Sequence, residues 1–125
     1  MTQYLISFDD GAMSFPEEDL PEVTKAAHEV VVEAQAAGVW VFGGGLESQR
    51  ASIVATDGMV TDGPYPETKE VIGGFAVVDV PSRAEALEWA AKIAVACRCA
   101  QAVRELLPDP PELDQAVPRA GSAST

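Results

Sequence analysis

The chain has 125 residues, of which 47% are hydrophobic and 22% are charged, and this composition is typical of one soluble globular domain. A chain of this length buries enough surface on folding to need neither a metal nor a disulfide for stability. It carries 8 Lys and Arg residues against 20 Asp and Glu residues, for a formal net charge of -12. The charge argues against nucleic acid and against an anionic membrane surface as partners, because basic patches bind both.

The amino-terminal residues and the cysteines indicate a cellular compartment. Residues 1–3 lead directly into an apolar strand, without the basic and long apolar regions of a secretory signal. No stretch of the sequence approaches the roughly 20 apolar residues of a membrane span. Cys97 and Cys99 are the only cysteines, and we interpret them as reduced thiols with a packing role. The sequence therefore predicts a cytoplasmic protein.

The first half of the chain predicts a strand, a helix and a second strand. Residues 4–8 are rich in β-forming side chains. A helix is expected to run to about Ala37 and to be followed by Gly38 as its C-terminal glycine. Its apolar stripe recurs at helical spacing and consists of Val23, Ala27, Val30, Val31 and Ala34. Residues 39–42 predict a buried strand, and three glycines follow it.

The second half predicts a hairpin, a strand and a second helix. Asp57-Gly58 lies between two β-rich segments, which is a two-residue hairpin signal. Residues 71–80 predict a central strand, and Ser82 with Glu85 predicts a capping box at the start of the next helix. The expected apolar face of that helix, which ends near Cys97, consists of Ala84, Leu87, Ala91 and Ala94. For residues 101–107 propensity favours a continued helix, whereas the architecture favours a final strand.

The order of these elements is βαββαβ, which predicts an α+β, ferredoxin-like fold with an extra hairpin before residue 62. Both helices are then expected on one face of an antiparallel sheet. The strands carry apolar side chains at both alternating positions, so the other face should be apolar and needs a partner; a homodimer is the economical answer. Residues 1–107 are expected to form the domain, and the proline-rich residues 108–125 a flexible tail.

A stiff, polar segment precedes the central strand and carries a family resemblance. It reads Asp62-Gly63-Pro64-Tyr65-Pro66-Glu67-Thr68-Lys69-Glu70, and Ile72-Gly73-Gly74-Phe75 follows. This motif resembles the DGPF branch of the YCII-related domain family, in which Phe and Ala usually stand at positions 65 and 66. The resemblance covers roughly residues 3–107 and implies a dimeric α+β barrel. Members are mostly uncharacterised, and some relatives are linked to sigma-factor genes or domains.

The resemblance also implies candidate catalytic residues. In the wider family, a His on the first helix and an Asp near the end of the second helix are a proposed catalytic pair. His28, the only histidine, stands where that His falls, but the Asp position falls near Ile93, which is not acidic. Asp62 is then the best candidate to orient His28 or stabilise its charge. The alternative for His28 is a solvated surface residue. The alternative for Asp62 is a side chain that closes its own Asp-Gly turn.

Four further residues are candidates for a substrate pocket, namely Arg50, Tyr65, Glu67 and Lys69. Arg50 is suited to clamp a carboxylate, and Lys69 to bind an anionic group. The alternatives are a solvated Arg50, a packing role for Tyr65, and surface ion pairs between Lys69 and its acidic neighbours. No cofactor is expected. One His without grouped carboxylates disfavours a metal, and the glycine triplet lacks the spacing of a nucleotide-binding loop.

Two functions remain open from the sequence. The first is a cofactor-free enzyme with lyase or isomerase chemistry, in which His28 moves a proton on a small-molecule ligand and Asp62 supports it. The second is a non-catalytic dimeric module that binds a ligand or a protein partner, such as a transcription factor. The missing acid on the second helix and the acidic surface favour the second.

Overall fold

Two helices lie over one face of a four-stranded antiparallel sheet, in a computed structural model that describes residues 1–47, 51–62 and 72–108. The elements are β1 (Thr2–Asp9), α1 (Leu20–Ala36), β2 (Trp40–Gly45), β3 (Ser52–Val54), β4 (Val60–Asp62), β5 (Ile72–Val80), α2 (Arg83–Cys97) and β6 (Ala102–Glu105). A 3-10 turn at Glu17–Asp19 precedes α1. The sheet order is β2-β5-β1-β6, and β3 pairs with β4 in a separate two-stranded sheet. This topology confirms the α+β, ferredoxin-like fold with an inserted hairpin.

The last element is a strand, as the architecture predicted and helix propensity did not. β6 pairs antiparallel with β1, and Tyr4 lies opposite Glu105. Burial raises the pKa of the Tyr4 phenol, and the Glu105 carboxylate, which accepts its hydrogen bond, raises that pKa further. The pairing gives β1 a hydrogen-bonding neighbour on its second edge. If residues 101–107 continued as a helix, the backbone groups on that edge of β1 would have no strand to pair with.

The core lies between the sheet and the helices. The sheet contributes Tyr4, Ile6, Val78 and Val80 to this buried cluster, and the helices contribute Ala34, Ala86 and Ala90. On α1, Val23 and Ala34 are buried and three further members of the predicted stripe are half-buried, so the predicted face of α1 is confirmed. Within the described ranges, neither helix has both the length and the apolar character that crossing a membrane requires.

The predicted apolar face of α2 is wrong. The buried residues are Ala86, Ala90, Ala96 and Cys97, with Trp89 and Ile93 half-buried beside them. In contrast, Ala84, Leu87 and Ala91 are exposed. Alanines occur almost all around this helix, so its hydrophobic period does not select one face. The start of the helix is as predicted, because the backbone N–H of Glu85 donates to Ser82 Oγ at 3.3 Å.

The hairpin of β3 and β4 is confirmed, although its loop is longer than predicted. The N–H of Ala55 donates to the carbonyl of Met59 at 2.8 Å, which leaves three residues in the loop. Gly58 has a φ of +88°, which is the left-handed position of a three-residue hairpin loop. Asp57 stabilises the turn by accepting a hydrogen bond from the N–H of Met59 at 2.9 Å.

Candidate functional site: an apolar cavity between the sheet and the helices

A cavity of about 220 Å³ lies between the sheet and the two helices. The helices line it with small and medium apolar side chains, which are Ala27, Val30, Val31, Ile93, Ala96 and Cys97. The strands contribute Ile6, Phe8, Trp40, Gly44, Gly45, Phe75 and Ala76. Met13 from the loop after β1 and Gln101 from the segment before β6 complete the lining. The cavity therefore combines residues from both halves of the chain.

Glycines in β2 and β5 shape the sheet side of the cavity. A Cβ atom on Gly74 would lie 2.6 Å from Cζ of Phe8, so the Phe8 ring packs directly on the Gly74 backbone. A Cβ atom on Gly43 would lie 2.5 Å from the carbonyl oxygen of Phe75, so the two strands approach closely there. Gly74 of the Gly-Gly-aromatic motif thus has a structural role, since it makes room for the Phe8 ring beside the cavity, whereas Gly73 allows a close approach of the Asp10 backbone.

The lining is almost free of polar groups. No Asp, Glu, Lys, Arg or His side chain lines it among the described residues. Gln101 is the one side-chain amide, and its Nε2 donates to the carbonyl oxygen of Cys99 at 3.3 Å and to Cys99 Sγ at 3.5 Å. These bonds fix the amide nitrogen and leave the amide oxygen of Gln101 as an acceptor for a ligand.

The two cysteines are free thiols at the carboxyl end of α2. Burial raises the pKa of the Cys97 thiol, and the charge of Cys99 raises it further. Burial also raises the pKa of Cys99, against the hydrogen bond from Gln101, which lowers it. Both thiols are therefore protonated near neutral pH, and Cys97 meets the cavity as a weakly polar group rather than as a thiolate nucleophile.

The structure does not bring the two predicted catalytic residues together within the ranges it describes. His28 is exposed on α1 and does not line the cavity, although the preceding residue, Ala27, does. Asp62 is exposed at the end of β4, where it accepts a hydrogen bond from Ser52 Oγ at 3.2 Å. No hydrogen bond or ion pair of the described residues joins His28 to Asp62, so their pairing stays a prediction.

The predicted substrate-pocket residues Arg50, Tyr65, Glu67 and Lys69 lie outside the described residues. Their roles also stay predictions. Ile93, near the position of the family's second-helix acid, lines the cavity, so the side chain there is apolar and faces apolar neighbours.

Gln101 and Cys97 line the cavity, although neither is predicted from the sequence as part of a site. Gln101 is recognisable in the sequence as an isolated amide that follows Cys97 and Cys99 and directly precedes β6. Nothing in the sequence marks Cys97 as a cavity residue, because its place at the cavity depends on which face of α2 meets the sheet.

A second, more open groove of about 580 Å³ follows the outer side of α1 and α2. Lys92 pairs with Glu33 in this groove, and Arg98 pairs with Asp19 at 2.8 Å and with Glu22 at 3.8 Å. These charges are already paired with one another, and they connect the helices. The apolar cavity, which is less open than this groove, is the candidate ligand site.

The fold and the cavity define a small α+β domain with an apolar pocket under two helices. Within the described ranges, no three His, Cys, Asp or Glu residues are grouped to hold a metal ion. The family model of the YCII-related domain matches residues 4–108, and the chain belongs to this family. A comparison with curated proteins finds no match.

Proposed function

We propose that this YCII-related domain binds a small, uncharged, apolar molecule in the cavity between its sheet and helices. The observation that carries the proposal is the apolar lining of that cavity. Pockets that bind small molecules are typically apolar with a few polar groups that set orientation. Gln101 supplies such a group, and its amide oxygen is suited to accept a hydrogen bond from a hydroxyl or N–H of the ligand.

The volume limits the size of the ligand. An apolar cavity of about 150 Å³ holds one benzene ring. The cavity of about 220 Å³ is therefore suited to a substituted single ring or to a compact bicyclic aromatic. A ligand of this kind also matches the aromatic side chains of Phe8 and Trp40 in the wall.

The lining also selects against charge. A carboxylate placed in the cavity would lose its hydration and find no cationic side chain among the described lining residues. Such a transfer costs several kcal/mol, so neutral ligands should be preferred over their charged analogues.

Binding of 2-naphthol and of 2-naphthoate, measured by calorimetry near pH 7, tests this proposal. We expect 2-naphthol to bind and 2-naphthoate to bind about 100-fold more weakly or not at all. Ala27→Leu should fill the cavity and abolish binding of 2-naphthol, whereas Ala84→Leu, at an exposed position of α2, should leave binding unchanged. Equal binding of the two compounds, or binding insensitive to Ala27→Leu, would contradict the proposal.

A second candidate function is cofactor-free acid–base catalysis of the lyase or isomerase type. The observation in its favour is that His28 directly follows Ala27, which lines the cavity. In this proposal the His28 imidazole transfers a proton and the Asp62 carboxylate orients it. The residues that would contact the substrate are Arg50, Tyr65, Glu67 and Lys69.

An NMR titration of the His28 imidazole tests the pairing that this second function requires. The titration curve should change when Asp62→Asn removes the carboxylate, because a charged partner stabilises the imidazolium. Asp57→Asn, in the nearby hairpin loop, is the control and should leave the curve as it is. Identical curves for the wild type and Asp62→Asn would exclude the His28–Asp62 pair.

The proposed assembly is a homodimer. Tyr4, Ile6 and Val78 belong to the core under the helices, so the alternating residues Leu5 and Val77 lie on the open face of the sheet. Phe42 lies opposite Val77 on that face and is 48% exposed, and its ring meets that of Phe75 edge to face at 5.4 Å. On this face Val77 is only 4% exposed and Leu5 is half-buried, so the exposed apolar surface centres on Phe42. An exposed aromatic side chain of this kind favours a partner. A protein partner, such as a transcription factor, is the alternative occupant.

A further inference from the structure

The hairpin of β3 and β4 exposes apolar side chains along its whole length. Every residue from 51 to 62 is exposed, and neither strand joins the main sheet. Its four large apolar residues, Ile53, Val54, Met59 and Val60, are between 44% and 67% exposed. The register places Val54 opposite Val60, so these two form an apolar pair on one face of the hairpin.

Among the described residues, no strand other than β3 and β4 themselves pairs with the edges of this hairpin. A two-stranded hairpin alone in water is marginally stable, and free strand edges attract other strands. Proteins usually protect such edges with Lys, Pro or a bulge. Residues 51–62 contain no Lys, Arg or Pro, and the strand register of the hairpin is regular from Ser52 to Val54.

The charge distribution favours a second copy of this chain as the partner. The net charge of -12 means that most surfaces of two copies repel each other. The hairpin carries only two charges, Asp57 and Asp62, at its two ends. Both carboxylates already accept hydrogen bonds within the hairpin, and the residues between them are uncharged. Two acidic copies can therefore meet at this segment without bringing like charges into contact.

We propose that residues 52–62 form a dimerisation arm that packs its Val54–Val60 face on a second copy of the chain. A two-fold axis makes such a contact self-complementary, because each copy offers the same segment and receives the same segment. The arm adds a specific contact to the homodimer of the proposed function, and the inference rests on that homodimer. It does not depend on ligand binding in the cavity.

The arm is tested by light scattering and sedimentation on the wild type and on variants with one exposed valine replaced. Val54→Lys places a charge in the contact, and Val54→Thr removes apolar surface while keeping a β-branched side chain. We expect Val54→Lys to raise the dimer dissociation constant about 100-fold or more and Val54→Thr to raise it less. Val95→Lys, at a position of α2 that is 80% exposed, is the control and should remain as dimeric as the wild type.

Circular dichroism and 2-naphthol binding on the same samples verify that each variant is folded. If the wild type is a dimer and Val54→Lys is equally dimeric, the dimerisation arm is contradicted but the homodimer is not. A monomeric wild type would contradict both the dimerisation arm and the homodimer, and the hairpin would then be a candidate site for a strand of another protein. The ligand proposal would still hold if the monomer binds 2-naphthol. In a dimer mixed from isotope-labelled and unlabelled chains, nuclear Overhauser effects between subunits from the Val54 or Val60 methyl groups would support the arm directly.

Discussion

Arg98 ends α2 in a conformation that side chains other than glycine rarely adopt. Its φ is 59°, in the left-handed region, where a non-glycine residue costs about 1–2 kcal/mol. Its guanidinium lies 2.8 Å from Asp19 and 3.8 Å from Glu22, and 6.0 Å from the centre of the Phe15 ring. One side chain thus connects the start of α1 to the end of α2, and these contacts offset part of the backbone cost.

Arg98→Gly and Arg98→Ala separate the effect of the ion pairs from the cost of the left-handed backbone. Both variants lose the ion pairs, but only glycine relieves the left-handed backbone. Arg98→Gly should therefore be more stable than Arg98→Ala by about 1 kcal/mol in urea unfolding. Equal stability of the two variants would mean that the backbone at Arg98 is not strained.

The thiols predict how stability depends on pH. The pKa of Cys97 and that of Cys99 are raised in the folded chain, so unfolding releases protons above the ordinary thiol pKa of about 8.5. The two thiols then make their full contribution to the free energy of unfolding below that pH, and the contribution is lost as the pH rises toward their raised pKa values. Thermal unfolding between pH 8 and pH 9.5 should show this loss. The double variant Cys97→Ala with Cys99→Ala should show a flatter pH dependence, and an unchanged slope would contradict the assignment.

At the scale of elements, the close approach of β2 to β5 depends on one glycine. A Cβ atom on Gly43 would meet the carbonyl oxygen of Phe75 at 2.5 Å and the Cα of Ala76 at 2.8 Å, and both are backbone atoms that cannot rotate away. Gly43→Ala should therefore destabilise the protein by about 1–3 kcal/mol. Gly45→Ala is the control, because nothing lies within 4 Å of its Cβ position. If both variants unfold at the same urea concentration, the strands have more freedom than the structure indicates.

The elements also show what the sequence can predict. Turn and cap residues act locally, so Gly38, Asp57-Gly58 and Ser82 marked their elements correctly. The buried face of α2 was not predictable, because an alanine-rich helix offers several similar faces and the sheet selects one of them. β6 was predicted only through topology, since its own propensity favours a helix and the open edge of β1 decides the outcome.

At the scale of the whole molecule, the fold was more predictable than the site. The order of strands and helices follows from local patterns, whereas the cavity requires residues from β1, α1, β2, β5 and α2 to converge. The resemblance directed attention to His28 and Asp62, which are exposed side chains within the described ranges. The apolar residues that surround the cavity looked like ordinary core residues in the sequence, because lining a cavity and filling a core require the same side chains.

The central position of β1 has a consequence for the synthesis of the chain. β1 is made first, but its two neighbours in the sheet are β5 and β6, which begin at residues 72 and 102. Translation adds about 5–20 residues each second, so the earliest strand waits several seconds for both partners. During that interval its apolar side chains and free backbone groups are open to other nascent chains. The four-stranded sheet is complete only after residue 105 has been made, so β1 cannot pair on both edges until nearly all of the described chain has been synthesised.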